Sequence, residues 1–96
     1  MDEHLYKVVE IDIKSKFTGY VKLGFENGEL ITKFSSNNPK HDDYPEVDPD
    51  FDYKFEFDVL PKSFYGSLYF AFDKGKITHY MKTQTLQGIQ LQKLIR

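Results

Sequence analysis

An Asn-Gly pair set between two apolar runs constrains the fold of this chain more than any other feature. Val21, Leu23 and Phe25 lead into Asn27-Gly28, and Leu30, Thr32 and Phe34 follow. A two-residue type I′ turn needs positive φ at both central positions, which Asn-Gly supplies most readily. A turn there pairs Phe25 with Leu30, Leu23 with Thr32 and Val21 with Phe34. Val21, Leu23, Phe25, Leu30, Phe34 and the Thr32 methyl then share one face. Turn chemistry and hydrophobic register agree, so an antiparallel hairpin is the expected nucleus of the fold.

Period-two alternation runs through much of the remaining chain. Val9, Ile11 and Ile13 alternate with Glu10, Asp12 and Lys14, which predicts a strand over residues 5–14. Residues 35–50 read as a long polar, acidic loop holding Pro39, Pro45 and Pro49. Proline stops a central strand from continuing, and connections this long are often functional. Beyond it, Phe51, Tyr53, Phe55, Phe57 and Val59 alternate with Asp52, Lys54, Glu56 and Asp58. That pattern predicts a half-buried strand with an aromatic face, ended by Pro61.

Residues 68–72 and 77–83 flank Asp73-Lys74-Gly75 and predict a second hairpin, with Gly75 in the left-handed region. A three-residue loop pairs Ala71 with Ile77, and a two-residue loop pairs Phe72 with Ile77. In the tail, Ile89 and Leu91 alternate with Gln90 and Gln92, which favours a last strand. Leu91, Leu94 and Ile95 would suit a short helix, against which Gly88 counts. The sum is an all-β single domain over residues 1–96. It has six or seven hairpin-connected antiparallel strands and little or no helix, arranged as a small barrel or a compact two-layer sheet. Barrel closure would hide the aromatic strand edges.

Charge divides the chain more sharply than its formal net of −2 suggests. Residues 42–58 hold eight of the fifteen acids and one base, Lys54, for a local net of −7. From Val59 onward six bases face a single acid, Asp73, for a local net of +5. Opposed fields of this kind select partners before contact forms. The N-terminus, Met1-Asp2-Glu3-His4, has no apolar signal region, and the longest apolar run, residues 68–72, is too short for a bilayer. A soluble, cytoplasmic protein without membrane contact is expected. Its Lys-, Asp-, Phe- and Tyr-rich vocabulary fits an A+T-rich bacterial or phage genome.

Recognisable chemistry is sparse. Without cysteine there is no disulfide, no thiolate metal site and no thiol nucleophile. Asp48, Asp50 and Asp52 fall at the first, third and fifth positions of a calcium loop. Tyr53 then stands where glycine is required, and Val59 where a bidentate glutamate belongs. His4, His41 and His79 share no metal-ligand spacing, and nucleophile-elbow, P-loop and dinucleotide fingerprints are missing. We expect no enzyme, no catalytic residue, no metal and no cofactor.

Two binding readings compete. In the first, the protein acts through a protein partner with a basic surface, using Asp42, Asp43, Tyr44, Glu46, Asp48, Asp50, Asp52, Tyr53, Glu56 and Asp58. Carboxylates on alternate residues of a strand lie about 6.6 Å apart, near the spacing of nucleic-acid phosphates. The most specific version therefore inhibits a nucleic-acid-handling protein by occupying its basic groove. The alternative is an OB-like barrel that stacks single-stranded DNA or RNA on its C-terminal strands. It would use Lys62, Tyr65, Tyr69, Lys74, Lys76, Tyr80 and Lys82. A third reading is a structural subunit whose strand edges pair with copies of itself.

Overall fold

The computed structural model describes residues 3–38 and 42–84. Within them lie helix α1 (Glu3–Lys14), strands β1 (Gly19–Glu26) and β2 (Glu29–Ser36), helix α2 (Tyr53–Asp58), and strands β3 (Gly66–Asp73) and β4 (Lys76–Gln84). The strands form one open antiparallel sheet in the order β2-β1-β3-β4. The fold is thus mostly β. It differs from the expected six- or seven-stranded barrel or two-layer sheet in being open, with four described strands and two helices laid on one face. The predicted last strand, around Ile89 and Leu91, lies outside the described residues.

Residues 5–14 are helical where the alternation predicted a strand. Leu5 and Val9 are fully buried one helical turn apart, while Ile11, their supposed strand-mate, is 63% exposed. Tyr6, Val8 and Ile13 flank the same buried stripe, the arc expected at a period of 3.6 residues. Glu10 and Lys14 pair at 2.9 Å across one turn. That contact holds the Glu10 carboxyl below its ordinary range and raises the Lys14 ammonium. The helix stops in a Schellman arrangement: Phe17 N–H donates to Asp12 O and Lys16 N–H to Ile13 O, with Lys16 at φ 58°.

The Asn27-Gly28 hairpin forms, with φ of 52° and 80° at the two turn residues. Its register agrees with expectation at Phe25↔Leu30 and departs beyond it. Gly24 faces Thr32, Leu23 faces Lys33 and Val21 faces Ser35. Ile31 is the extra residue of a β-bulge, and the space a Gly24 side chain would need is taken by Thr32 Oγ1. Phe34 therefore turns away from the core and is 53% exposed. Lys33 moves to the helix side, 3.5 Å from Asp12. In the second hairpin the two-residue alternative holds. Phe72 pairs with Ile77 across Lys74-Gly75, whose φ angles are 53° and 83°.

The aromatic segment around 51–59 is also helical, not extended. Asp52 caps α2 by accepting hydrogen bonds from Lys54 N (3.0 Å) and Phe55 N (3.3 Å), the usual role of an N-cap aspartate. Tyr53 and Phe57, four residues apart, turn inward, leaving Phe55 and Val59 61% and 48% exposed.

The core lies between the helices and the central strands. Leu5 and Val9 of α1, Phe57 of α2, and Leu60 and Phe64 beyond it pack on Val21, Leu23 and Phe25 of β1 and Leu68, Phe70 and Phe72 of β3. Phe57 and Phe70 meet edge to face at 5.8 Å, and Phe25 and Phe64 at 5.5 Å, geometries favoured by ring quadrupoles. The opposite sheet face carries Tyr20, Lys22, Phe34, Tyr69 and Met81.

Candidate partner-binding groove

The acidic segment lies at the edge of the sheet farthest from β2 and is pinned there. Glu46 bridges to His79 of β4. Val47 N–H donates to Thr78 O at 3.1 Å, and Tyr80 N–H donates to Pro45 O at 3.0 Å. These bonds cover the β4 edge with a short extra ladder. The chain then turns at residues 49–50, where Phe51 N–H donates to Asp48 O, and enters α2 through the Asp52 cap.

This path builds a groove of about 590 Å³ between the pinned segment, α2 and the end of β4. Phe51, Phe55 and Tyr80 supply apolar surface, with Pro45, Val47 and Met81 beside them. Around these stand Glu46, Asp48, Asp50, Asp52 and Glu56, against a single base among the described residues, Lys82. Phe51 and Tyr80 hold each other with ring centroids 5.1 Å apart, and Tyr80 stacks on core Phe70 at the same distance. The Tyr80 hydroxyl is buried without a hydrogen-bond partner among the described residues. Burial pushes its ionisation well above that of an ordinary tyrosine, and the Glu56 carboxylate adds to the shift.

The ten acidic-segment residues singled out from sequence occupy several environments. Glu46, Asp48, Asp50, Asp52 and Glu56 converge on the groove. Asp42 and Asp43 are exposed in a turn before it. Tyr44 leans on Tyr69 of the open face, with centroids 5.2 Å apart. Its hydroxyl ionises above the usual value through burial, then through Tyr69, Tyr20 and Asp43. Tyr53 packs edge to face on Phe57, and burial followed by Glu10 raises its ionisation too. Asp58 accepts a hydrogen bond from the Tyr6 hydroxyl and so ties α2 to α1. Because 53–58 is helical, the regular strand spacing behind the phosphate-like pattern is not present.

The alternative set does not gather on one surface. Tyr69 faces outward, while Tyr80, paired with Phe70, faces the helices. Lys74 and Lys76 sit at the Lys74-Gly75 turn, whereas Lys62 lies by the Asn27-Gly28 turn at the other end of the sheet. Tyr65 is half-buried just before β3, and Lys82 lines the acidic groove. The aromatics that strand alternation concealed as site residues are Phe51 and Phe55. The signal for Phe55 lay in the helical spacing of Tyr53 and Phe57, which leaves the residue between them on the outer side.

Among the described residues, no group of His, Asp or Glu is arranged to hold a metal ion, and no helix is long and apolar enough to cross a membrane. A second hollow, about 820 Å³, lies across the pinned segment and mixes Glu46, Asp48 and Asp73 with Lys76 and His79. Comparison with protein-family models, with curated proteins and with solved structures finds no match to the chain.

Proposed function

We propose that this chain is a non-enzymatic binding protein that receives a basic, amphipathic segment of a protein partner in the groove between Pro45–Val47, α2 and β4. The observation that carries this reading is Phe55. A large aromatic side chain that is 61% exposed lies in a concavity whose described walls carry five carboxylates and one base. Exposed apolar surface rimmed by polar groups is characteristic of interaction sites. Aromatic anchors at the centre supply affinity, and charge at the rim supplies steering and selectivity. Nucleic-acid-handling proteins are a partner class whose basic segments meet these requirements.

The test uses labelled peptides with alternating Lys/Arg and Leu/Phe positions, read by fluorescence anisotropy at about 50 and 200 mM salt. Saturable binding should weaken with salt. It should fall at least tenfold on combined Asp48→Asn, Asp50→Asn and Glu56→Gln, and again on Phe55→Ala. Binding indifferent to all four changes, or no binding, overturns the reading. Saturable uptake of a single-stranded oligonucleotide, lost on neutralising Lys76 and Lys82, would replace it with the nucleic-acid alternative.

A further inference from the structure

The two edges of the sheet are treated differently. The β4 edge is covered by Pro45–Val47 through its two backbone hydrogen bonds. On the far side of β2, no described residue pairs with the strand. Uncovered edges offer a row of backbone donors and acceptors to another chain, and proteins usually blunt them with charge or a bulge. In β2 both devices are weakened. The bulge residue Ile31 is itself 50% exposed, and Lys33, the lone cation of the strand, is drawn toward Asp12 on the helix side.

We propose that β2 is a self-association edge, through which two copies of this chain pair antiparallel over residues 32–36 with Phe34 on the two-fold axis. The register follows from the bulge. Downstream of Ile31 the strand alternates cleanly: Thr32, Phe34 and Ser36 face the open side, opposite Gly24, Lys22 and Tyr20, while Lys33 and Ser35 face the helices. An isologous pairing must set open-side residues against open-side residues. Centring it on Lys33 would oppose two ammonium groups, and centring it on Thr32 would run the ladder through the bulge.

Centring on Phe34 engages all five residues. Thr32 then meets Ser36 of the second copy twice, Lys33 meets Ser35 twice, and Phe34 meets itself. Hydroxyl and aromatic cross-strand pairs are favourable combinations. Phe34 already packs on Tyr20 at 5.7 Å, so the dimer extends one ring row across an eight-stranded sheet. The groove lies at the opposite edge and plays no part.

The absence of native cysteine makes the register testable. Residues directly opposite in an antiparallel pair have Cα atoms about 4.5–5.5 Å apart, within the span a disulfide bridges. Phe34→Cys should give a covalent dimer under mild oxidation. So should the Thr32→Cys/Ser36→Cys double variant, while Thr32→Cys alone and Ile11→Cys on exposed α1 should not cross-link. In sedimentation equilibrium the unmodified chain should gain mass across about a hundredfold rise in concentration. Phe34→Lys should abolish that gain with its circular dichroism and melting unchanged. A mass that stays monomeric throughout overturns the proposal. So does a Phe34→Cys variant that cross-links no faster than Ile11→Cys.

Discussion

Replacing Tyr80 by Phe should stabilise the protein, although tyrosine is embedded in its best-packed aromatic row. The ring meets Phe70 and Phe51, both at 5.1 Å, and phenylalanine keeps those contacts. The hydroxyl is cut off from solvent and has no hydrogen-bond partner among the described residues. An unsatisfied buried polar group costs about 1–3 kcal/mol. Because part of the ring still reaches solvent, the lower end applies, and removal should return about 1 kcal/mol. For a domain of this size that raises Tm by about 4–8 °C.

The same hydroxyl makes a signed claim about pH. Its folded-state ionisation lies above the unfolded value of about 10 because burial and Glu56 disfavour the phenolate. Its contribution to stability is fully present below that unfolded value. It is lost as pH rises from there toward the folded value, since the unfolded chain releases the proton first. Urea melts of wild type and Tyr80→Phe at neutral pH and at about pH 11 read both effects. The variant should be the more stable at neutral pH and should fall less steeply in alkali, by up to about 1.4 kcal/mol per pH unit. A variant destabilised at neutral pH would mean that the hydroxyl is hydrogen-bonded, and an unchanged alkaline slope that it ionises as in the unfolded chain; either result refutes the reasoning.

Phe57 is fully buried among Tyr6, Tyr53 and Phe70, so Phe57→Ala should cost about 3–5 kcal/mol; a denaturation midpoint near wild type would show that α2 is not docked as described. Gly28 sits at φ 80° with the Lys62 carbonyl where a side chain would go. Gly28→Ala should therefore cost at least about 2 kcal/mol in urea melts, more than the left-handed conformation alone. At the α2 cap, Asp52→Ala should lose about 1 kcal/mol while Asp52→Ser loses little, since either oxygen accepts the same N–H groups. Equal losses for the two would transfer the effect to charge. Lys16→Gly should raise thermal stability by about 0.5 kcal/mol, because the helix ends on a left-handed residue that glycine tolerates better.

The hairpins were legible because their information is local. Asn27-Gly28 and Lys74-Gly75 carry the positive φ values their turns require, and no distant contact is needed to read them. The helices were not. Val9, Ile11 and Ile13 satisfy a strand period, while Leu5, Val9 and Ile13 satisfy a helical one equally well. What decides is the apolar face of β1 and β3, which needs a cover that no local window reveals. The α1 stop was also disguised, since lysine occupies the position where glycine is the usual marker. At α2 the punctuation was present in Asp52 and Pro61, but five alternating apolar residues outweighed it. The same misreading hid the groove: the acids were conspicuous, yet Phe55 is exposed only because Tyr53 and Phe57 share the buried side of a helix. The bulge at Ile31, which swings Phe34 outward, left no mark beyond Gly24.

The strand order β2-β1-β3-β4 also sets how the molecule is assembled in time. Each outer strand reaches its neighbour through a two-residue turn, whereas β1 must find β3 across a long stretch of chain, with Gly19 opposite Phe72. The two hairpins can form within microseconds, whereas the central pair must first close a far longer loop. All of the acidic segment and α2 lie in the connection spanned at that step. Each doubling of a flexible connection adds only about 0.6 kcal/mol of closure cost. Provided that Phe57 and its neighbours still reach the core, the segment that shapes the groove is also the part of the chain freest to change length.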